Sequence, residues 1–371
     1  MSGWLAARHL LAVRLDNAGD AVMLGPALRA VKETSPAARL TLLATPAGAA
    51  VAPLLPWVDD VIVWRPVWQD LGRETADPAR DRHLIADLSE RGFDAALIFT
   101  SFSQTPHVPG YVCYLAGIPL RAGESKEFGG ATLTDELRGA ADDLHQVERN
   151  LRLVERLGFA VRDRRLRLFI PDEARAAVVE HLRGAGLDPE APFVLLHPGA
   201  SARARRYPIE RLAAVAAGLK RRDVALLVTG TEREDALVTA TARPANVPTL
   251  IGQTTLPEYA ALVERAALVL CGNTLPLHLA DALATPVVAL YAGTDLEAQW
   301  RPRFVPHRLL RRETPCHPCY LFDCLIGQPC LDVPPEEVVA EVADLLAASG
   351  RSHREDGRPT VAASTGVRGS P

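Results

Sequence analysis

A polar turn formed by Asn273 and Thr274 follows an apolar run of strand-like residues and precedes a helix with Pro276 in its first turn. A helix that begins directly after a strand aims free N–H groups and its positive dipole end at the sheet edge. We therefore predict that Asn273, Thr274 and His278 bind an anion such as a diphosphate. The alternative is an ordinary strand–helix turn with a hydrogen-bonded helix histidine.

Basic side chains also cluster after another candidate strand, Phe193–His197. The segment His197–Ser201, which begins at the end of this strand, reads His-Pro-Gly-Ala-Ser. Ser201 closes this turn, and three arginines, one of them Arg205, follow within five residues. Guanidinium groups form charge-assisted, often paired hydrogen bonds with phosphate oxygens. Ser201 and Arg205 are therefore predicted to bind the same diphosphate, the alternative being an exposed basic loop.

Two further turns carry polar groups at predicted strand ends. Glu234 closes the turn Thr229–Glu234, where a carboxylate can hold ribose hydroxyls. Thr254 lies in the segment Gly252–Leu256, which leads into another helix. Both side chains are predicted to contact a nucleotide. Capped helix starts would account for the same residues.

The first half offers one candidate base. Asp20 follows the predicted strand Leu10–Leu15 after a turn that includes Asn17, and a carboxylate there can take the proton of a sugar hydroxyl. Ser101 follows another predicted strand, and Asn17 and Ser101 are predicted to line an acceptor cleft if both strands end at one sheet edge. The alternatives are a first-turn helix acid for Asp20 and an ordinary loop around Ser101.

Four cysteines lie close together near the end of the chain, with the spacing x2, x4 and x5: Cys316, Cys319, Cys324 and Cys330. Four such thiols can bind structural zinc or an iron–sulfur cluster. A reduced loop and redox-sensitive disulfides are the alternatives, and the x5 spacing is unusual for a zinc ribbon. Cys113 and Cys271 have the apolar neighbours of buried thiols.

Short apolar runs alternate with amphipathic segments throughout, which predicts an α/β protein with parallel sheets. Two such series of similar size predict two Rossmann-like domains. We assign residues 1–170 and 193–333 to the domains and 171–192 to a helix and linker, the helix preceded by a short strand over Arg167–Ile170. Residues 334–348 are predicted to form a last helix, and 349–371 a disordered tail rich in Gly, Ser, Arg and Pro.

Composition excludes several classes of function. The 371 residues carry a net charge of −4, so no general basic field exists for nucleic acid. No uninterrupted apolar stretch is long enough for a transmembrane helix, and the N-terminus lacks the layout of a signal peptide. A cytoplasmic protein is the expectation.

The motifs together resemble glycosyltransferase family 9, the bacterial ADP-heptose:lipopolysaccharide heptosyltransferases. Their order matches the family over roughly residues 8 to 346, and six motifs carry the match: Gly19-Asp20, His197–Ser201, Arg205–Pro208, Gly230–Glu234, Gly252–Leu256 and Asn273–Ala282. The chain departs from the family pattern with Arg205 for Lys, Tyr207 for Trp, Asn273 for Asp and Leu275 for Gly. Leu275 departs most, because glycine lets backbone approach a phosphate.

The resemblance implies a GT-B fold, in which two facing Rossmann-like domains enclose a cleft and the last helix crosses back to the first domain. It implies the inverting transfer of a sugar, in this family heptose, to a lipopolysaccharide-core-like or other glycan acceptor. The donor would be a nucleotide-diphospho-sugar, in this family ADP-heptose. Asp20 would be the base, and Arg205, Thr274 and His278 would hold the departing ADP, without a required metal. The partners implied are the donor, a glycan or lipid-linked glycan, and the inner membrane as a peripheral contact.

Two other functions are consistent with the sequence. One is a transferase of the same fold that modifies a secondary metabolite or another glycan. The other is a nucleotide-sugar-binding protein without catalysis, against which the presence of Asp20 argues.

Overall fold

The computed structural model describes residues 3–69, 75 and 77–350. In the first half, the strands are β1 (His9–Arg14), β2 (Arg39–Ala44), β3 (Asp60–Val63), β4 (Ala95–Ile98), β5 (Leu120–Glu124) and β6 (Asp135–Leu137). The helices are α1 (Gly3–Ala6), α2 (Ala18–Thr34), α3 (Pro46–Ala49), α4 (Pro78–Arg91), α5 (His107–Leu115) and α6 (Gln146–Arg156).

The second half repeats this alternation. Its strands are β7 (Val194–Leu196), β8 (Leu226–Gly230), β9 (Thr249–Ile251), β10 (Leu268–Gly272), β11 (Val287–Leu290) and β12 (His307–Leu310). Its helices are α7 (Asp172–Gly184), α8 (Ile209–Lys220), α9 (Asp235–Ala242), α10 (Leu256–Arg265), α11 (Leu275–Ala282), α12 (Glu297–Trp300) and α13 (Pro335–Ala348).

Within the described residues, both sheets are six-stranded and parallel throughout, and they share one topology. The strand orders are β3-β2-β1-β4-β5-β6 and β9-β8-β7-β10-β11-β12, the order of dinucleotide-binding Rossmann folds. The order reverses between β1 and β4 in the first sheet and between β7 and β10 in the second. Ligands of such sheets bind beyond the carboxyl ends of the strands at these switch points. The predicted α/β class with two Rossmann-like sheets is confirmed.

The apolar strands are explained by burial on both faces. Along β1, Leu10 and Ala12 belong to one apolar cluster, while Leu11 and Val13 belong to another on the opposite face. A strand covered on both sides needs a continuous apolar sequence rather than alternation. This is why β1 and β10 are recognisable in the sequence as short apolar runs.

The two halves are joined by a continuous core as well as by the chain. The cluster that contains Leu10 of the first sheet also contains Leu195 of the second. Helix α2 of the first half packs against α11 of the second half. The N-terminal ends of α2 and α11 therefore face each other, which brings together the loops that follow β1 and β10.

The last helix does not cross back to the first domain, so that expectation is wrong. Helix α13 packs on α8 and on the second sheet, with Val338, Val342 and Leu345 in the apolar cluster of that half. Gly218 of α8 permits the close approach, since a Cβ there would lie 2.8 Å from a methyl group of Val339. The apolar face of α13 is thus buried locally.

The strand predicted over Arg167–Ile170 is also absent. That segment is irregular, and Phe169 N donates a single backbone hydrogen bond to Leu54 O at 3.0 Å without a strand ladder beside it. The disordered tail predicted for 349–371 lies outside the described residues from 351 onward. None of the described helices is long and apolar enough to cross a membrane.

Candidate active site

The predicted base lies in the first turn of α2, directly beyond β1. Asp20 Oδ1 accepts a hydrogen bond of 2.7 Å from Arg14 Nη2. Arg14 is the last residue of β1 and also donates to Ser101 Oγ at 2.9 Å. Among the described residues only Oδ1 of this carboxylate has a side-chain partner, which leaves the second oxygen available to a hydroxyl in the cleft.

Arg14 is fully buried, and two carboxylates surround it. Asp16 Oδ2 lies 3.0 Å from Arg14 Nε, and Gln104 donates to the other oxygen of Asp16. Burial raises the pKa of Asp16, and the Asp20 charge adds to that rise against the opposing effect of Arg14. The pKa of Arg14 is raised despite burial, because Asp16 and Asp20 stabilise its charge. Arg14 therefore fixes the orientation of Asp20 and neutralises part of the local negative charge.

The two halves meet closely at Gly19 and His278. A Cβ at position 19 would lie 2.8 Å from His278 Cδ2, so glycine is needed for α2 to meet α11 at this distance. Burial lowers the pKa of His278 to about 4, and Arg205 lowers it further while Asp20 raises it. His278 is therefore neutral near pH 7 and can donate or accept a hydrogen bond in the cleft.

The Arg205 guanidinium is held in place by hydrogen bonds with other residues of the second half. Arg205 donates from Nε to Thr294 Oγ1 at 3.1 Å and from Nη2 to Asp295 Oδ1 at 3.0 Å. Asn273 Nδ2 donates to the second oxygen of Asp295 at 3.0 Å. The Arg205 side chain keeps 30% of its surface exposed and lines the cleft. A guanidinium anchored in this way is preorganised for an anion.

Two departures from the family pattern have structural explanations. Asn273 is buried, and its Oδ1 accepts from Ala292 N at 3.2 Å while its amide meets Asp295, a contact that a second carboxylate would make repulsive. Leu275 is the first residue of α11 and has helical backbone. The position therefore does not require glycine, and leucine is accommodated without strain.

The helix start beside Leu275 retains unused hydrogen-bonding capacity. Thr274 precedes α11 as its N-cap, but its hydroxyl does not cap the helix. Thr274 Oγ1 is buried and has no hydrogen-bond partner among the described residues. A buried hydroxyl without a partner is costly unless a ligand or water satisfies it, and the residue lines the cleft. The geometry suits a phosphate oxygen.

Glu234 also lines the cleft. Its Oε2 accepts from Thr231 N at 2.9 Å and from Thr231 Oγ1 at 2.8 Å, forming a capping box. His197 Nε2 lies 4.0 Å from the other oxygen, and burial lowers the pKa of this histidine. The Glu234 carboxylate is thus held at the cleft wall, where it can accept hydrogen bonds from vicinal hydroxyls.

One cavity of about 1010 Å³ receives side chains from both switch points. It is lined by every predicted base, donor and acceptor residue: Asp20, Asn17, Ser101, Ser201, Arg205, Glu234, Thr254, Asn273, Thr274 and His278. The structure therefore brings together residues that are up to 261 positions apart in the chain, the separation of Asn17 and His278. Their individual roles stay predictions.

The four cysteines belong to the segment that also contributes Tyr320 and Phe322 to the cavity lining. All are free thiols, and among the described residues no group of three or more His, Cys, Asp or Glu side chains is arranged to hold a metal. The zinc or iron–sulfur alternative for these cysteines stays a prediction.

Several site residues were missed by sequence reasoning. In the sequence, Arg14 stands out only as a charged residue inside an apolar strand. Because buried charges are normally paired, such a residue indicates that a buried partner exists. Thr294 and Asp295 lie four and five residues after the end of β11, in a turn that follows a strand like the turns from which other second-half residues were predicted. Tyr320 carries no sequence signal, because its place in the cleft depends on the path of a long loop.

The buried histidines predict a loss of stability in mild acid. Burial lowers the pKa of His145 as well as His278 to about 4, whereas unfolded histidine titrates near about 6.5. The unfolded chain therefore binds protons first, and the free energy of unfolding falls as pH drops from about 6.5 toward 4. We expect a loss of about 2 kcal/mol per histidine between pH 7 and pH 5.

Urea unfolding at the two pH values measures this loss. The His278→Gln variant should lose less stability than the wild type, and His83→Gln, on the exposed side of α4, should behave like the wild type. Equal losses in all three proteins would show that His278 is not the group that titrates.

Comparison with known proteins supports the resemblance to glycosyltransferase family 9. Residues 82–328 match the model of glycosyltransferase family 9 (heptosyltransferase). Lipopolysaccharide heptosyltransferase 3 of Escherichia coli K12 is 28% identical over 163 residues, which is 43% of this chain and 46% of that protein. The chain thus aligns with about half the length of the curated relatives it matches first.

Two solved structures resemble the fold over nearly their whole length. A glycosyl transferase family 9 protein from Veillonella parvula has a TM-score of 0.77 at 18% identity, with 92% of this chain and 98% of that chain covered. Escherichia coli ADP-heptose lipopolysaccharide heptosyltransferase II has a TM-score of 0.72 at 21% identity, with 92% and 99% covered. At such identity these likenesses establish the fold, and the predicted GT-B architecture is confirmed. Since the family model covers well over half of the residues, the chain belongs to glycosyltransferase family 9.

Proposed function

We propose that this protein is an inverting glycosyltransferase that moves heptose from ADP-heptose to a lipopolysaccharide-core or related glycan acceptor. One observation carries the proposal. A single cavity is lined on one side by a carboxylate held on a buried arginine, and on the other by an anchored guanidinium at a helix N-terminus. Those are the two groups that displacement of a sugar from a diphosphate requires.

The chemistry is a single displacement at the anomeric carbon. Asp20 takes the proton of an acceptor hydroxyl, whose oxygen forms the new bond to the anomeric carbon as the bond to the diphosphate oxygen breaks. The electron pair of the breaking bond leaves with ADP. Because the base and the diphosphate pocket face each other across the cleft, attack comes from the side opposite the leaving group, and the configuration inverts.

The departing diphosphate gains negative charge, and the second half supplies groups to stabilise it. Arg205 contributes a fixed positive charge, Thr274 a buried hydroxyl, and α11 the positive end of its dipole. Removing one preorganised donor of this type typically costs about 10²–10³-fold in kcat. His278, neutral between Asp20 and Arg205, provides a further hydrogen bond in the cleft.

A thermal-unfolding panel of nucleotide sugars tests the donor class. ADP-heptose should raise the unfolding midpoint most, by about 5 °C at ~100 times its Kd, and ADP should give a smaller rise. GDP-mannose and UDP-glucose serve as comparison ligands of the same charge. A midpoint that no nucleotide diphosphate moves would contradict the proposal.

The nucleoside end of the cleft gives a second prediction. Gly199 faces Glu234, and a Cβ at position 199 would overlap Glu234 Oε1. Gly199→Ala should displace the carboxylate from its capping box and weaken ADP binding about tenfold, the loss of one charged hydrogen bond. Calorimetric titration with ADP measures the change.

The matched control is Gly184→Ala at the end of α7, where the added methyl group meets nothing within 4 Å. That variant should bind ADP as the wild type does. If Gly199→Ala also kept its affinity, Glu234 would not be a nucleotide contact.

The proposed donor and acceptor also define where the protein would act. We propose a cytoplasmic enzyme that meets a lipid-linked glycan at the inner membrane as a peripheral protein. Fractionation of cells, with the enzyme followed by transfer activity in the cytosolic and membrane fractions, tests this location.

A further inference from the structure

Two aromatic rings meet across the mouth of the cleft, one from each half of the molecule. The centroids of Phe102 and Tyr320 lie 5.3 Å apart, and the ring planes are inclined by 45°. Both residues line the cavity, and Tyr320 keeps 46% of its surface exposed. Rings that served only to join two domains would be buried, since aromatic pairs gain most of their stabilisation from burial.

The backbone presents Tyr320 to the cleft by several fixed contacts. Cys319 N donates to Gly293 O at 3.1 Å, and Tyr320 N donates to Thr294 O at 2.9 Å. Two residues further on, Phe322 O accepts from Ala204 N at 2.8 Å. The loop is therefore fastened to the same segment that positions Arg205.

Tyr320 also has an unfavourable backbone conformation. Its φ is +55°, in the left-handed region where glycine is preferred. A bulky residue kept in this region costs stability that glycine would avoid, and such residues concentrate at ligand sites. Tyr320 is therefore retained for its side chain rather than for its backbone.

The position of Phe102 relates the pair to the predicted base. Phe102 follows Ser101, whose hydroxyl binds the same Arg14 nitrogen that holds Asp20. Phe102 is thus the direct chain neighbour of a residue that shares its arginine partner with the predicted base. Polar side chains of Ser103 and Gln104 line the wall beside Phe102.

We propose that Phe102 and Tyr320 form a platform for a pyranose ring of the acceptor glycan. This inference rests on the proposed glycosyl transfer. One face of a pyranose consists of C–H groups, which pack on the electron-rich face of an aromatic ring. Its hydroxyls then find the hydroxyl and amide groups of the adjacent wall, the usual combination of an apolar surface and few polar contacts in a ligand site.

Saturation-transfer NMR with delipidated lipopolysaccharide-core oligosaccharide tests binding directly, without need for turnover. Phe102→Ala and Tyr320→Gly should each weaken binding of the oligosaccharide about tenfold. Calorimetric titration should show ADP affinity changed by less than about twofold, because the donor groups are untouched. Glycine suits the backbone at 320, so the unfolding midpoint of Tyr320→Gly should equal or exceed that of the wild type.

Conservative and matched variants separate a binding role from a structural one. Phe102→Tyr and Tyr320→Phe keep a ring and should bind the oligosaccharide, while Tyr111→Ala, 52% exposed on α5 and outside the cavity lining, should not change binding. Oligosaccharide binding that is absent in the wild type, or unaltered in Phe102→Ala and Tyr320→Gly, would overturn the platform. Binding that requires the rings supports it, and a failure of transfer with ADP-heptose in the same samples would reject only the proposed reaction.

Discussion

The Asp20→Asn variant should lose sugar transfer by about 10²–10⁴-fold while it binds ADP as the wild type does. An amide keeps the shape of the side chain and can still meet Arg14, but it cannot take the proton of the acceptor hydroxyl. The donor pocket lies on the other side of the cleft, on groups that the substitution does not touch. Initial rates of ADP release with acceptor present, together with ADP titration, measure both quantities.

Asp87→Asn is the control for this experiment. Asp87 lies on α4 and forms an ion pair with Arg91 at the surface, which contributes little to stability. That variant should transfer sugar at the wild-type rate. Turnover near the wild-type level in Asp20→Asn would instead remove Asp20 from the mechanism.

Replacement of Arg14 should have the largest effect on stability. Arg14→Met keeps the length of the side chain but leaves the largely buried Asp16 and Asp20 without their cation. Breaking a buried ion pair in this way costs about 3–5 kcal/mol in the free energy of unfolding. Transfer should fall as well, because the orientation of Asp20 is lost. Urea unfolding and the transfer assay report the two effects.

Two further variants test whether the unpaired carboxylates cause the loss of stability in Arg14→Met. Adding Asp16→Asn to Arg14→Met removes one unpaired carboxylate and should restore part of the stability without restoring transfer. Arg91→Met removes exposed ion pairs with Asp87 and Asp60, and should cost less than about 1 kcal/mol. If Arg14→Met proved as stable and as active as Arg91→Met, the buried network would have no part in the fold or in the reaction.

The fold was predictable where local sequence and tertiary structure agree. The bounds of strands β1 and β7 lie within one residue of the predicted Leu10–Leu15 and Phe193–His197, because apolar strands bounded by turn residues carry strong local signals. Strands β5 and β6 were not predicted. They are short and include Arg121, Glu124 and Asp135, whose charges are accommodated by tertiary ion pairs and hydrogen bonds.

The predicted residues that line the cavity could be found from the sequence because of the sheet topology. Residues that follow parallel strands gather at one sheet edge, so turns after predicted strands were sound candidates. What the sequence could not show is how those residues are held. The pairing of Arg14 with Asp20, and of Arg205 with Asp295, depends on which loops face each other across the cleft.

Long-range packing of loops and the last helix was the least predictable part. Tyr320 reaches the cleft only because its loop is fastened to Gly293 and Thr294, and no pattern near residue 320 indicates that path. Helix α13 has an apolar face that would suit either half, and its contact with α8 is decided by the close approach at Gly218. Such choices are made by tertiary packing rather than by local propensity.

The most direct test of the central claim is the anomeric configuration of the product. The enzyme would be incubated with ADP-heptose and delipidated lipopolysaccharide-core oligosaccharide, and the product examined by NMR together with the ADP released. We predict one ADP per new glycosidic bond and a configuration opposite to that of the donor. Retention of configuration, or ADP release without a glycosidic bond, would contradict a direct displacement by a hydroxyl activated at Asp20.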